Sequence, residues 1–362
     1  VKTKIIQVHP EFPETDKIAE CAKIVRQGGL VVFPTETVYG IAANYHNPKA
    51  MARLREVKRR SVDKPFSILI SQKGLIANYT PLTDPVVYKL IDEYWPGPLT
   101  VVMPHHEPGE TIGIRMPRNN IALKLVEESQ CAVAAPSANL EGNSPPSTCQ
   151  EAMKDLDGMI DVAIDGGAAH FGQASTVVSL TRPEAPEILR QGVISQADIE
   201  RVSRRKTILF VCTGNSCRSV MAEYLLRHRL NYRDDVEVIS AGTGVFLRSS
   251  ASAETSAILL REGIDTSGHY SQPVNRIMLF KSDLILVMTR SHRQQVLERI
   301  PLVENRVYLL REFASMDNSA MFNLDIPDPI GKSSAAYEEC MLMIKDAVNK
   351  LAALIEKWPD NR

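Results

Sequence analysis

Residues 208–230 constrain this chain more than any other stretch. Ile208-Leu209-Phe210-Val211 is a short apolar run of buried-strand type. The small, polar string Cys212-Thr213-Gly214-Asn215-Ser216-Cys217-Arg218-Ser219 follows it. From Val220 to Leu230, Met221 with Leu225 and Ala222 with Leu226 and Leu230 recur at helical spacing. The sequence therefore predicts a strand feeding a tight loop, and the loop feeding a helix N-terminus. Such a turn gathers backbone N–H groups around one point and adds the positive end of a helix dipole, a site suited to an oxyanion such as phosphate. Cys212 stands at its mouth, where a thiol is expected to ionise near neutral pH. Arg218 closes the loop with a planar fork that can hold two phosphoryl oxygens.

Placed between strand and helix, the string Cys-Thr-Gly-Asn-x-Cys-Arg-Ser resembles the low-molecular-weight protein tyrosine phosphatase family. The elements downstream agree with an α/β domain. Val236–Ser240, Asp283–Met288 and Val307–Leu310 read as strands, and Glu254–Glu262 and Ser334–Lys357 as helices. In the last helix Tyr337, Met341, Ile344, Val348, Leu351 and Ile355 share a face. The alternation predicts a parallel sheet in a three-layer α/β/α fold.

The resemblance also assigns roles. Cys212 is the nucleophile and Arg218 the clamp. Asp328, in Asp325-Ile326-Pro327-Asp328-Pro329, is the acid that protonates the leaving group, with Asp325 as the runner-up. Thr213, Gly214, Asn215, Ser216, Cys217 and Ser219 support the phosphate loop. Ser219 is expected to hydrogen-bond the thiolate, Asn215 to fix loop geometry, and Cys217 to trap an oxidised Cys212 as a disulfide. Ser216 resembles the protein-arginine phosphatase branch, where a Thr stands, so phosphoarginine and phosphotyrosine are both open as substrates. Arsenate reduction needs a paired cysteine relay well downstream, and only Cys340 remains there.

The 362 residues exceed one ordinary core and suit two domains of roughly 150–200 residues. In the first half Lys2–Val8 reads as an edge strand. Asp16–Gln27 reads as a helix with Ile18, Cys21, Ala22 and Val25 on one face, ended by Gly28-Gly29. Leu30–Phe33, Phe66–Ile70 and Ala132–Ala135 read as strands. Lys58-Arg59-Arg60-Ser61-Val62-Asp63-Lys64-Pro65 is a basic cluster, and Pro34-Thr35-Glu36-Thr37 follows a strand end. Lys58, Arg60, Lys64, Ser137 and Arg190 are the cations and turn hydroxyl that a polyphosphate demands.

The ordered set Lys58-x-Arg60, Lys64-Pro65, Pro96-Gly97-Pro98-Leu99-Thr100, Arg115-x-Pro117, Ser137-Ala138-Asn139, Ser175-Thr176-Val177-Val178 and Arg190-x-Gly192 resembles the YrdC-type threonylcarbamoyl-AMP synthase family. The resemblance implies a twisted mixed sheet with helices. It also implies synthesis of threonylcarbamoyl-adenylate and pyrophosphate from L-threonine, bicarbonate and ATP, with the product passing to tRNA-modification machinery. By motif, Lys58, Arg60, Lys64, Ser137, Asn139 and Arg190 serve ATP, and Thr37, Arg115 and Ser175 serve threonine. Mg2+ is expected to arrive with ATP, with no tightly bound metal. Leu69 and Pro145 stand where many family members carry His and Ser.

The expected layout is a synthase domain over 1–195, a basic linker over 196–206 that includes a short helix at 195–200, and a phosphatase domain over 207–362. Competing readings are a first half that only senses a nucleotide or RNA, and a phosphatase half that is only a scaffold. Charge is balanced, with 42 Lys and Arg against 43 Asp and Glu, so nothing global points to nucleic acid or membrane. No apolar stretch reaches the roughly 20 residues of a membrane helix, and the first residues lack a basic-then-apolar pattern, so no signal peptide is expected among them. With six cysteines in no paired framework, the expectation is a soluble cytoplasmic enzyme.

Overall fold

The computed structural model describes residues 2–61, 64–314 and 324–358. It divides into two compact units, residues 1–82 with 89–203, and residues 83–88 with 204–362.

In chain order the first part of the chain forms β1 (Lys4–Gln7), α1 (Thr15–Arg26), β2 (Val31–Phe33), β3 (Gly40–Asn44), α2 (Pro48–Lys58), β4 (Ile68–Leu69), α3 (Pro85–Tyr94), β5 (Leu99–Pro104), β6 (Thr111–Arg115), α4 (Asn120–Ser129), β7 (Val133–Ala134), α5 (Cys149–Leu156), β8 (Val162–Asp165), β9 (Thr176–Ser179), β10 (Glu187–Arg190) and α6 (Gln196–Arg204). The strands make one mixed sheet in the order β1-β8-β2-β3-β7-β4-β6-β5-β9-β10. β1, β8 and β2 run parallel, whereas β3 and β7 each oppose their neighbours.

A two-residue side-chain period explains why β2 is apolar throughout. Val31 and Phe33 of β2 join a core with Ile18 and Val25 of α1 and Leu125 of α4. Leu30 and Val32 join a different core with Leu54 of α2 and Leu156 of α5. β8 repeats the division, with Val162 and Ile164 on one side and Ala163 on the other. Helices therefore cover both faces here. The face expected for α1 is buried, and the turn after it needs glycine. Gly28 has φ +94°, and a Cβ there would lie 2.7 Å from Asn47 Nδ2.

The second part forms β11 (Lys206–Cys212), α7 (Arg218–Arg229), β12 (Val236–Gly242), α8 (Ala253–Arg261), α9 (Arg276–Lys281), β13 (Leu284–Val287), α10 (Arg290–Arg299), β14 (Val307–Leu309), α11 (Leu310–Ala314) and α12 (Ser334–Ile355). Its four strands are all parallel, in the order β12-β11-β13-β14. Ile208 and Phe210 of β11 point into a core shared with Met221 and Leu225 of α7, Leu259 of α8 and Ile344, Val348 and Leu351 of α12. α10 packs on β13 and β14.

The stretch 196–206 differs from a basic linker. α6 continues past Glu200 to Arg204, and Lys206 already opens β11. Ile199 and Val202, three apart, are buried and hold the helix down, so its basic residues are a helix face and not a free connector.

Candidate active sites

β11 ends on Cys212 and α7 begins at Arg218, so residues 213–217 form the turn between them. Cys212 and Arg218 are buried, Gly214 and Ser216 half-buried, and Thr213 exposed at the lip. Ser219 Oγ lies 3.0 Å from Cys212 Sγ, and the Asn215 N–H donates to the same sulfur at 3.3 Å.

Asn215 holds the turn together. Its φ of 51° is left-handed, a conformation Asn tolerates better than most residues. Its side-chain amide donates to Ser219 Oγ (3.0 Å) and Ser240 Oγ (2.7 Å), and its Oδ1 accepts from the Gln272 N–H (2.9 Å). His269 Nε2 donates to its carbonyl at 2.8 Å. Ser240 in turn donates to buried Glu223, whose carboxyl is raised by burial first, against the opposing pull of Arg227. The Cys217 thiol sits among hydroxyls, 3.4 Å from Ser252 Oγ and 3.6 Å from both Ser216 Oγ and Tyr337 Oη.

Arg218 faces the acidic loop. One terminal nitrogen donates to the Ile326 carbonyl (3.1 Å), and the other donates to Asp328 and to Thr213 Oγ1 (3.4 Å). Its Nε is buried without a hydrogen-bond partner among the described residues, a donor left for a phosphoryl oxygen. The two candidate acids separate cleanly. Asp328 pairs with Arg218, whereas Asp325 accepts the Arg290 N–H at 2.9 Å and braces the start of α10.

In the first unit a cavity of about 350 Å³ opens between strand ends and loops. Thr37, Arg60, Lys64, Arg115, Ser137, Ser175 and Arg190 all line it, as does Leu69. Three guanidinium groups converge. Burial first, then Arg115 and Arg60, hold the Arg190 guanidinium below its ordinary value. Arg190 is anchored to the Ser175 carbonyl (2.9 and 3.1 Å) and hydroxyl (3.0 Å), and Ser175 meets Thr100 at 2.9 Å. Arg60 is tied to the Pro65 carbonyl (3.0 Å) and lies 5.0 Å above the Phe66 ring. Lys64 pairs with Glu141 at 2.5 Å. Val62 and Asp63 of the same basic cluster lie outside the described residues. Thr35 Oγ1 donates to the Val38 carbonyl at 2.6 Å and so receives the Thr37 hydroxyl at 2.9 Å.

Two residues grouped with ATP by motif stand behind this wall. Lys58 is buried, and its ammonium donates to the Ser137 carbonyl (2.7 Å), the Asn139 carbonyl and Asn139 Oδ1 (3.1 Å). Burial, and then repulsion from Arg60, lower its pKa to about 8. Asn139 donates to the carbonyls of Leu140 (2.9 Å) and Asn143 (2.7 Å). Lys58 and Asn139 therefore set the turn that presents Ser137. Pro145 lines a separate cleft with Ser144, Pro146 and Lys154.

These two geometries coincide with two family matches. A family model for Sua5, YciO and YrdC proteins, described as "Telomere recombination", matches residues 23–192. A second, for low molecular weight phosphotyrosine protein phosphatases, matches residues 207–360. A Methanocaldococcus jannaschii protein named for threonylcarbamoyl-AMP synthase is 34% identical over 54% of this chain and 95% of its own length. The low molecular weight protein-tyrosine-phosphatase EpsP of Ralstonia nicotianae is 38% identical over 40% of this chain and 92% of its own. The chain belongs to both families.

The chain spans 61–62% of the threonylcarbamoyl-AMP synthases of Pyrococcus abyssi and Bacillus subtilis, which it matches at 39% and 38% identity over 55% and 56% of its own length. Pyrococcus abyssi Sua5, solved in complex with L-threonine, is similar at 28% identity and TM-score 0.53, covering 85% of this chain and 99% of that one. Among the described residues, no helix is long and apolar enough to cross a membrane.

Sequence reasoning missed several side chains at both family sites. Glu36 lies 2.8 Å from Arg115, and both are nearly buried. Its place in Pro34-Thr35-Glu36-Thr37, between two hydroxyls singled out for the loop, was the available signal. Glu223 lies within α7 and Ser240 within β12, and neither gave a local hint.

Proposed function

We propose that the chain is a two-activity enzyme. Its first unit condenses L-threonine, bicarbonate and ATP into threonylcarbamoyl-AMP and pyrophosphate, for tRNA-modifying machinery in the cytoplasm. Its second unit hydrolyses phosphorylated protein through a phosphocysteine.

For the synthase, the supporting observation is the convergence of Arg60, Arg115, Arg190, Lys64 and three hydroxyls on one cavity. A threonine carbamate must attack the α-phosphate of ATP as pyrophosphate leaves. That step needs alignment and charge neutralisation more than covalent help. Arg115 is the partner for the threonine carboxylate, which must compete with Glu36. Arg60, Lys64 and Arg190 neutralise the phosphates. Mg2+ would arrive on the triphosphate. The cavity wall is cationic and hydroxyl-rich, which suits phosphate oxygens. The His105, Glu107 and Glu110 group lies on the β5–β6 turn, outside that wall.

For the phosphatase, the supporting observation is that Cys212, Arg218 and Asp328 meet on one turn. Cys212 attacks phosphorus in line and breaks the bond to the leaving group. Loop amides and Arg218 hold the equatorial oxygens. Asp328 protonates the departing atom and then takes a proton from the water that frees the phosphocysteine. Ser216, half-buried at the lip, favours phosphoarginine over phosphotyrosine, because a small hydroxyl side chain leaves room beside a guanidinium.

Two assays test this reading on the full chain. Pyrophosphate release should need threonine and bicarbonate together; release that ignores both would leave a nucleotide-binding module. Hydrolysis of phosphoarginine and phosphotyrosine peptides, side by side, should favour the first; preference for phosphotyrosine would overturn the Ser216 argument.

A further inference from the structure

His292 is buried in the first turn of α10 and belongs to no motif. Thr289 caps that helix, accepting the His292 N–H at 3.3 Å, and Thr289 Oγ1 also lies 2.9 Å from His292 Nδ1. On the other side of the ring, Nε2 lies 2.9 Å from Thr213 Oγ1, the first residue after Cys212.

One arrangement matches each donor with an acceptor. Thr213 Oγ1 accepts from Arg218 at 3.4 Å and keeps its own hydrogen to give. His292 Nε2 is within reach and can accept only if unprotonated. Nδ1 then carries the ring hydrogen and donates to Thr289. Burial first, and then Arg218, lower the His292 pKa to about 4, which keeps the ring neutral at ordinary pH.

We infer that His292 is a positioning residue of the phosphatase site: as a neutral imidazole it takes the Thr213 hydroxyl hydrogen and thereby turns Thr213 to hold Arg218. The clamp needs this support. Arg218 is paired with Asp328 before substrate arrives, and must swing its fork to phosphoryl oxygens during the reaction. Thr213 is exposed at the lip of the turn. A hydrogen bond to a ring locked by a helix cap restrains it. The histidine acts through Thr213 and touches no reacting atom. The inference rests on the phosphatase reading of the Cys212 turn.

The test is kinetic, on the full chain with p-nitrophenyl phosphate near pH 7. Wild type and Cys212→Ser come first. If wild type does not turn over, or the serine variant matches it, the phosphatase reading fails and takes this inference with it. Given an active wild type, His292→Leu should lower kcat roughly 10- to 100-fold, the scale of a misaligned catalytic group, with KM changed by less than about threefold. His292→Gln, whose amide oxygen reaches near the Nε2 position, should recover most of kcat, whereas the shorter His292→Asn should not. On a Thr213→Val background, His292→Leu should cost nothing further. A His292→Leu variant within twofold of wild type, or an effect that adds in full to Thr213→Val, overturns the inference. Should the leucine variant be too unstable to assay, the glutamine and asparagine pair decides. Equal rates for those two overturn it.

Discussion

Asp325 and Asp328 are three residues apart and chemically identical, yet their partners assign them different work. Asp328 meets Arg218, and Asp325 holds the first N–H of α10. On a phosphopeptide, Asp328→Asn should lower kcat by roughly 10²- to 10⁴-fold, the usual range for a lost general acid. Asp325→Ala should leave kcat within a few-fold and cost about 0.5–2 kcal/mol of stability, as lost helix caps do. Matching losses of kcat in the two variants would mean that the carboxylates share the proton. His292 carries a second residue-scale prediction. Its ordinary pKa is 6.5 and its folded value about 4, with burial first and then Arg218 opposing its protonation, and Asp328 and Asp325 favouring it. Between about pH 4 and 6.5 the unfolded chain binds a proton that the folded chain refuses, so stability rises with pH across that window and levels off above it. At about 1.4 kcal/mol per unit, the difference amounts to about 3 kcal/mol. Native-state hydrogen exchange of α7 and α10 amides, compared at pH 4.5 and 7, should show a smaller gain in His292→Gln than in wild type. Equal gains would mean that the ring titrates normally in the fold.

At the scale of elements, the turn between β11 and α7 concentrates its geometry in one residue. Asn215 is fully buried, adopts φ 51° and spends its whole side chain on Ser219, Ser240 and Gln272. Asn215→Ala should cost phosphatase activity at least tenfold, because the left-handed backbone becomes unfavourable by roughly 1–2 kcal/mol and the hydroxyl of Ser219 loses its guide. Asn215→Gly relieves the backbone but not the hydrogen bonds. Partial recovery in that variant, read as kcat, would separate the two contributions, and a glycine variant no better than alanine would put the whole effect on the side chain.

The same turn shows what a sequence can and cannot carry. Its residues are contiguous, so strand, loop and helix were legible from the apolar run, the small residues and the 3.6 period. α12 was legible for the same reason, its buried positions falling at intervals of three and four. The extent of the short strands was not. β4 and β7, read as Phe66–Ile70 and Ala132–Ala135, keep only two residues each, because where so short a strand ends depends on neighbours far away in sequence. Lys58 illustrates the same limit within a site. Its motif placed it beside a nucleotide, but only the fold shows that its ammonium is consumed by the Ser137–Asn139 turn. His292 and Thr213 are 79 residues apart, and no local pattern links them.

For the whole molecule, each unit has its own core. The cavity draws on residues 33–190, and Cys212, Arg218, Asp325 and Asp328 with their turn on residues 212–328. Among the described residues, no side chain belongs to both sets. A fusion of this kind predicts that one activity survives the loss of the other. Cys212→Ser should abolish phosphate release and leave threonine-dependent pyrophosphate release within about twofold, since it removes a nucleophile without disturbing any residue of the cavity. Arg115→Ala should do the converse, because on the proposed reading it removes the partner of a substrate carboxylate; its guanidinium donates to the Gly97 carbonyl and pairs with Glu36. The decisive comparison is phosphatase kcat/KM in the wild-type chain with and without saturating ATP, threonine and bicarbonate. An unchanged value is expected. A change beyond about threefold, roughly 0.6–0.7 kcal/mol, would mean that occupancy of one site biases the other; where that change lies in binding, the same ligands must bind with altered affinity to a phosphate-loaded chain, because coupling of binding free energies is reciprocal.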